Sequence, residues 1–162
     1  MLAVPLLLVV LVGCGDGDED PPAAVPLVAE IAPAITAVES ELGGPQDYFE
    51  INATPQFVNV IVATDGGSMA TAFLYLDGDL QPPAPPEAAG GETFRANDLD
   101  FDPDLVLTGI ADELDEPAIA QFVVVGGPGG AVQYSAFVTS AEGGVLDVLL
   151  GPDGAVLAVQ AG

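Results

Sequence analysis

The chain has 162 residues, of which 25 are Asp or Glu and one is Lys or Arg, so its formal net charge is −24. A surface this negative repels phosphate backbones, which excludes nucleic acid as a partner. The sequence has no His and a single Cys, and its one basic residue is Arg95. The usual general base and the nucleophilic Lys are therefore missing, and we expect a protein that is not an enzyme.

An apolar run from Met1 to Val12 opens the chain. It is shorter than the roughly 20 residues that a helix needs to cross a bilayer, which predicts a cleavable signal peptide over residues 1–13. The end of the run, Leu11-Val12-Gly13-Cys14, resembles the bacterial lipobox. That resemblance implies that Cys14 receives a lipid and becomes the new N-terminus. Acyl chains such as palmitate would then anchor the protein to the extracytoplasmic face of the cell membrane.

Residues 14–26 are rich in Gly, Pro and carboxylates. This composition cannot bury a core, so the stretch is predicted to be a solvated tether. Its alternating carboxylates are better explained by a spacer than by an ion site, because a flexible tether does not enclose an ion.

A helix and three strands are predicted in residues 27–81. Apolar residues recur at helical spacing from Ile31 to Leu42, and Gly43-Gly44-Pro45 ends the pattern. Branched and aromatic residues bounded by turn formers then predict strands at 48–53, 57–64 and 69–76. Residues 82–102 follow as a Pro-rich and acidic linker, whose prolines favour an extended chain.

The same order returns in residues 103–162. Pro103 suits the start of a helix. The apolar face that follows repeats the first one 72 positions later: Leu107, Ile110 and Leu114 correspond to Ile35, Val38 and Leu42. Strands are predicted after it at 119–125, 131–140, 145–150 and 155–159.

The sequence therefore predicts an α+β fold made of two repeats, each a helix packed on an antiparallel three- to four-stranded meander. The first repeat would span residues 27–81 and the second residues 103–162. The alternative is an ordinary α+β chain without repeats, because helices that end at Pro and hairpins that turn at Gly are common in such proteins.

The second of these segments resembles a known family. Its run Tyr134-x-x-x-Val138, Gly143–Val148 and Asp153–Val159, preceded by an amphipathic helix, is similar to PepSY-type modules of secreted and membrane-attached bacterial proteins. The match covers roughly residues 103–160 and, more faintly, 31–81. The resemblance implies a helix on an antiparallel meander and an inhibitory or protein-binding role, with a peptidase or another envelope protein as partner. It implies no catalytic residue.

Alternate carboxylates mark the end of the linker: Asp98, Asp100, Asp102 and Asp104. Because Ca²⁺ takes several oxygen ligands and tolerates irregular geometry, a calcium site is one interpretation. Pro103, however, falls where an EF-hand loop requires Gly. In the alternative interpretation Leu99 and Phe101 point inward, the first two carboxylates face water, and the last two cap a helix and occupy its first turn.

The sequence as a whole predicts a lipid-anchored extracytoplasmic protein-interaction module without a resident cofactor. Two alternatives stay open: a carrier lipoprotein that encloses a lipid or another apolar ligand, and an acidic calcium-binding surface protein. The carboxylates are spread along the whole chain, which favours adaptation to high salt over a localised site for cations or basic partners.

Overall fold

A computed structural model describes residues 24–139 and 143–162 of the chain. Its longer helix, α1 (Ile31–Leu42), follows a 3-10 turn at Val28–Glu30, and a short helix, α2, spans Thr108–Glu113. The strands in chain order are β1 (Asp47–Ala53), β2 (Val58–Thr64), β3 (Met69–Leu76), β4 (Asp79–Leu80), β5 (Glu87–Ala88), β6 (Phe94–Arg95), β7 (Ala118–Gly126), β8 (Val132–Thr139), β9 (Val145–Leu150) and β10 (Val156–Ala161). The predicted signal peptide lies outside the described residues.

The described strands form one antiparallel sheet in the order β10-β9-β8-β7-β1-β2-β3-β4, with β5 paired to β3 and β6 paired to β1. Short turns connect most neighbouring strands. The exception is the centre of the sheet, where β1 pairs with β7 in a register that places Glu50 opposite Val125. This central pairing joins two meanders into one continuous sheet.

Helix α1 has the predicted bounds. It ends at Gly43, which takes a left-handed conformation (φ 81°) that a glycine adopts without strain. The helix buries Ile31, Ala34, Ile35 and Val38 against the sheet. The predicted apolar face also included Leu42, but that side chain is 43% exposed at the end of the helix.

The second helix is much shorter than predicted. The chain from Pro103 to Leu107 forms turns, and α2 has only six residues. Ile110 is fully buried, as its helical spacing predicted. The helix lies close to the turn between β9 and β10. The approach is so tight that a Cβ on Gly109 would collide with the carbonyl oxygen of Gly154.

The prediction of two helix-plus-meander repeats is wrong. The described strands make a single ten-stranded sheet with one helix of fifteen residues, counting its 3-10 turn. On the β7 to β10 side the sheet is covered mainly by irregular chain, in which Leu99, Phe101 and Val106 pack on the core. Carboxylates and Gly109 weaken helix formation there, and six residues are too few to cover a sheet.

Both helices pack on the same side of the sheet, which we call the core side. Along one row of paired residues its side chains are apolar and buried: Val60, Ile51, Val124, Tyr134 and Leu150. They form one cluster with the buried residues of α1 and with Ile110 of α2. The core is therefore continuous across the central β1–β7 pair.

The opposite side of the sheet, which we call the outer face, carries the alternating residues. One row of it runs across five neighbouring strands: Asn59, Asn52, Val123, Ser135 and Leu149. Val123 is only 7% exposed and yet does not belong to the core cluster. Among the described residues, neither helix is long and apolar enough to cross a membrane.

Candidate binding sites

The lipidation site predicted from the sequence, Cys14, lies outside the described residues. The described part of the chain begins at Ala24, ten positions later. The structure therefore shows the folded part that the tether would hold. The remaining predicted site residues all lie within the described part and can be placed.

The four predicted calcium ligands are not brought together. Asp98 Oδ2 accepts a hydrogen bond from the backbone N–H of Arg95 (2.8 Å), and Asp102 Oδ1 accepts one from the backbone N–H of Asp104 (2.9 Å). Asp100 Oδ1 instead accepts the hydroxyl of Tyr134 (2.7 Å). Across residues 24–139 and 143–162 no three carboxylates lie close enough to share a metal ion.

The alternative interpretation of this segment agrees better with the structure. Leu99 and Phe101 do pack against the core, and the carboxylates between and around them are exposed. Asp102 caps only a turn, however, because α2 does not begin until Thr108. The segment is thus a covering strip for the sheet, with its acidic side chains in solvent.

Two buried tyrosines of the sheet form hydrogen bonds to the elements that cover it, one to the covering strip and one to α1. Tyr134 packs between Phe101 and Phe122 and donates its hydroxyl to Asp100. Burial raises the pKa of Tyr134 to about 12, and the hydrogen bond to the Asp100 carboxylate adds to the rise. The hydroxyl of Tyr48 in β1 donates a hydrogen bond to Glu39 Oε1 of α1 (3.0 Å). Burial, and to a smaller extent this carboxylate, raise the pKa of Tyr48 well above its ordinary value.

The outer face carries few charges for so acidic a chain. On strands β1, β7, β8 and β9 they are the carboxylates Asp47, Glu50 and Asp147. Asp47 Oδ1 accepts Nε of Arg95 at 2.7 Å, so one of the three is neutralised. Glu50 Oε1 accepts Nδ2 of Asn52 at 2.8 Å. The rest of this face is apolar or carries neutral amides and hydroxyls.

Asp147 is the unusual residue of this face. Its neighbours across the strands are Phe137 of β8 and Gln160 of β10. Its Oδ1 is buried and has no hydrogen-bond partner within the described residues. A buried acceptor without a donor costs folding free energy, roughly 1–3 kcal/mol.

A second candidate site lies on the core side, between α1 and the covering strip. We call it the helix groove. One part has a volume of about 360 Å³ and is lined by Ala32, Ile35, Leu99 and Phe101, with Glu39 on the helix side. An adjoining part of about 490 Å³ lies beside Val25 and Leu107. The two parts share Val28, Ala29 and Pro103, so they form one groove.

The rim of the helix groove is acidic. Glu30 and Asp104 border one part and Glu39 borders the other. No basic residue contributes to either part. Arg95, the sole cation of the chain, is occupied by Asp47. An apolar trough with carboxylates at its edge is therefore open between the helix and the strip.

Sequence reasoning missed both surfaces. The exposed alanines Ala29 and Ala32 were a signal for the groove, because small side chains on a helix leave room beside it. For the outer face the signal was the low charge of the predicted strands in a chain with 25 acidic residues. Neither signal identifies a site until the sheet order is known.

No protein-family model, curated protein or solved structure matches the chain. The resemblance to the lipobox and to PepSY-type modules therefore stays a prediction from the residues that carry it.

Proposed function

We propose that the protein is a lipid-anchored extracytoplasmic interaction module, whose outer face binds a protein partner of the cell envelope. The observation that carries the proposal is the scarcity of charge on the outer face, on which neither described helix packs, in a chain with a net charge of −24. Charge is depleted at the centres of protein interfaces, and a sheet face without a covering layer is a common place for one.

The side chains of the outer face suit a protein rather than a small ligand. Phe137 and Leu149 are half-buried and give apolar contact area, while the exposed Gln133 and the half-buried Ser135 supply neutral donors and acceptors beside them. Among the described residues, the outer face runs in paired rows across five neighbouring strands.

The lipid anchor fixes where the module works. Ala24 lies ten positions after Cys14, and a fully extended chain of that length reaches at most about 35 Å. A partner of the outer face would therefore be a protein at or near the same membrane. Anionic headgroups repel a surface this acidic, so the acyl chains rather than the protein surface would hold it there.

Site-specific photo-crosslinking in living cells tests the interface. A photoreactive amino acid at Ser135 on the outer face should yield a discrete adduct, which mass spectrometry then identifies, whereas one at Glu41 on the exposed side of α1 should not. Leu149→Asp, which places a charge beside Ser135, should remove the adduct while the circular dichroism spectrum stays unchanged. Equal adducts at both positions, or none at Ser135, would contradict the proposal.

Metabolic labelling tests the anchor separately. Cells fed a palmitate analogue should label the native chain and leave Cys14→Ser unlabelled. If neither protein takes up label, the anchor and the membrane location are both wrong, although the outer face would still be open to a soluble partner.

A further inference from the structure

We infer that the helix groove is a binding site for an apolar chain that ends in a single cationic group. This site is distinct from the outer face, because the groove lies beside α1 on the core side of the sheet. The inference goes beyond the proposed function, and neither one requires the other.

The shape and the walls of the groove account for the apolar part of the ligand. Its two connected parts, about 360 and 490 Å³, each fall within the range of small-molecule sites, roughly 300–1,000 Å³. Ile35, Leu99 and Phe101 offer aliphatic and aromatic surface along one part, and Leu107 and Ile119 continue it along the other. Exposed Ala29 and Ala32 form a floor that leaves an alkyl chain room to lie along the helix.

The charges at the rim account for the cationic end. Glu30, Glu39 and Asp104 border the groove, and no basic side chain lines it. The one Arg of the chain is held by Asp47 at 2.7 Å, so a ligand with a carboxylate or phosphate end would find no counter-charge. A cationic end gains attraction from the rim and from the field of the whole acidic molecule.

Three amphiphiles with the same tail separate these contributions: octyltrimethylammonium, octyl glucoside and octyl sulfate, each used below its critical micelle concentration. The full chain is held in nanodiscs of zwitterionic lipid, with empty nanodiscs as the blank, and binding is measured by titration calorimetry at low ionic strength. We expect the cation to bind about tenfold tighter than the glucoside, as a few partly exposed charge pairs would give, and the sulfate to show no saturable binding.

Matched variants separate the groove from the rest of the acidic surface. Ala32→Leu fills the groove and should weaken the binding of the cation and the glucoside alike, about tenfold or more. Ala111→Leu changes another exposed alanine, which lies in α2 and outside the groove, and should leave both affinities unchanged. The double variant Glu30→Gln with Asp104→Asn removes two of the three rim carboxylates and should reduce the preference for the cation over the glucoside.

Several results would overturn the inference. Binding of the cation that survives Ala32→Leu would mean adsorption to the general surface, and tight binding of the sulfate would exclude charge selection. A concentration-dependent dimer that Ala32→Leu dissociates would show that a second copy of the chain occupies the groove. If the palmitate label fails, the same titrations apply to the chain free in solution, so loss of the anchor does not decide the outcome.

Discussion

At the scale of single residues, the hydroxyl of Tyr134 is the clearest link between the covering strip and the sheet. Tyr134→Phe removes its hydrogen bond to Asp100 and should lower the free energy of unfolding by about 1–2 kcal/mol, since the acceptor is charged. Urea denaturation measures this. Tyr75→Phe is the control, because its hydroxyl makes no hydrogen bond among the described residues; an equal loss in both variants would contradict the role given to Tyr134.

The same residue sets a dependence on pH. The pKa of Tyr134 rises from an ordinary 10 to about 12 in the fold, because burial favours the neutral phenol. Its contribution to stability is therefore complete below pH 10 and is lost as the pH rises toward 12. Over that interval the free energy of unfolding of Tyr134→Phe should fall less steeply with pH than that of the native chain.

The carboxylate of Asp147 should lower the stability of the chain. Asp147→Asn removes the charge of a carboxylate that has one buried, unpaired oxygen, and it should stabilise the isolated chain by about 1 kcal/mol. Asp115→Asn removes an equal charge at an exposed position and serves as the control for thermal denaturation. Equal stabilisation by both would mean that only net charge matters.

At the scale of elements, the turn before β10 packs closely against the turns that precede α2. A Cβ on Gly154 would collide with the carbonyl oxygen of Leu105, whereas one on Gly129 would meet nothing within 4 Å. Both glycines have positive φ, 83° and 73°, so replacement by Ala costs similar backbone strain. Gly154→Ala should therefore lower the free energy of unfolding by about 1–3 kcal/mol more than Gly129→Ala, as measured by chemical denaturation.

Elements set by local pattern were predictable from the sequence. The bounds of α1, β3 and β9 agree with the predicted ranges, because apolar spacing and the flanking Gly and Pro residues act within a few positions. The prediction of a longer second helix was wrong. Leu107, Ile110 and Leu114 keep helical spacing, but only Ile110 is buried. Tertiary packing of the strip replaced the helix that the spacing favoured.

Long-range relations were not predictable in the same way. Nothing in the local pattern indicates that Glu50 pairs with Val125, or that Tyr134 binds Asp100 from 34 positions away. The acidic run was recognised as a possible ion site or as a capped segment, and choosing between them required knowing where its oxygens point. The helix groove depends on two elements that are neighbours only in the folded chain.

At the scale of the whole molecule, self-repulsion of the carboxylates should govern stability in solution. Added monovalent salt screens like charges, so the melting temperature should rise with salt, as differential scanning calorimetry can measure. The triple variant Asp112→Asn, Glu113→Gln and Asp115→Asn removes three exposed charges and should flatten this rise. A melting temperature that stays flat or falls in the native chain would contradict the role of repulsion.

The pairing of β1 with β7 has a consequence for how the chain is made. Synthesis proceeds from the N-terminus, so β1 is made long before β7, the strand that will flank it. Val125, the partner of Glu50, comes 75 positions later in the chain. During that interval the middle of the future sheet is a bare edge, which offers its N–H and C=O groups to any neighbouring polypeptide. A product that stops at Glu116 keeps this edge and should aggregate, which light scattering would detect. Premature termination is therefore more hazardous between the two meanders than the loss of β10 at the far end would be.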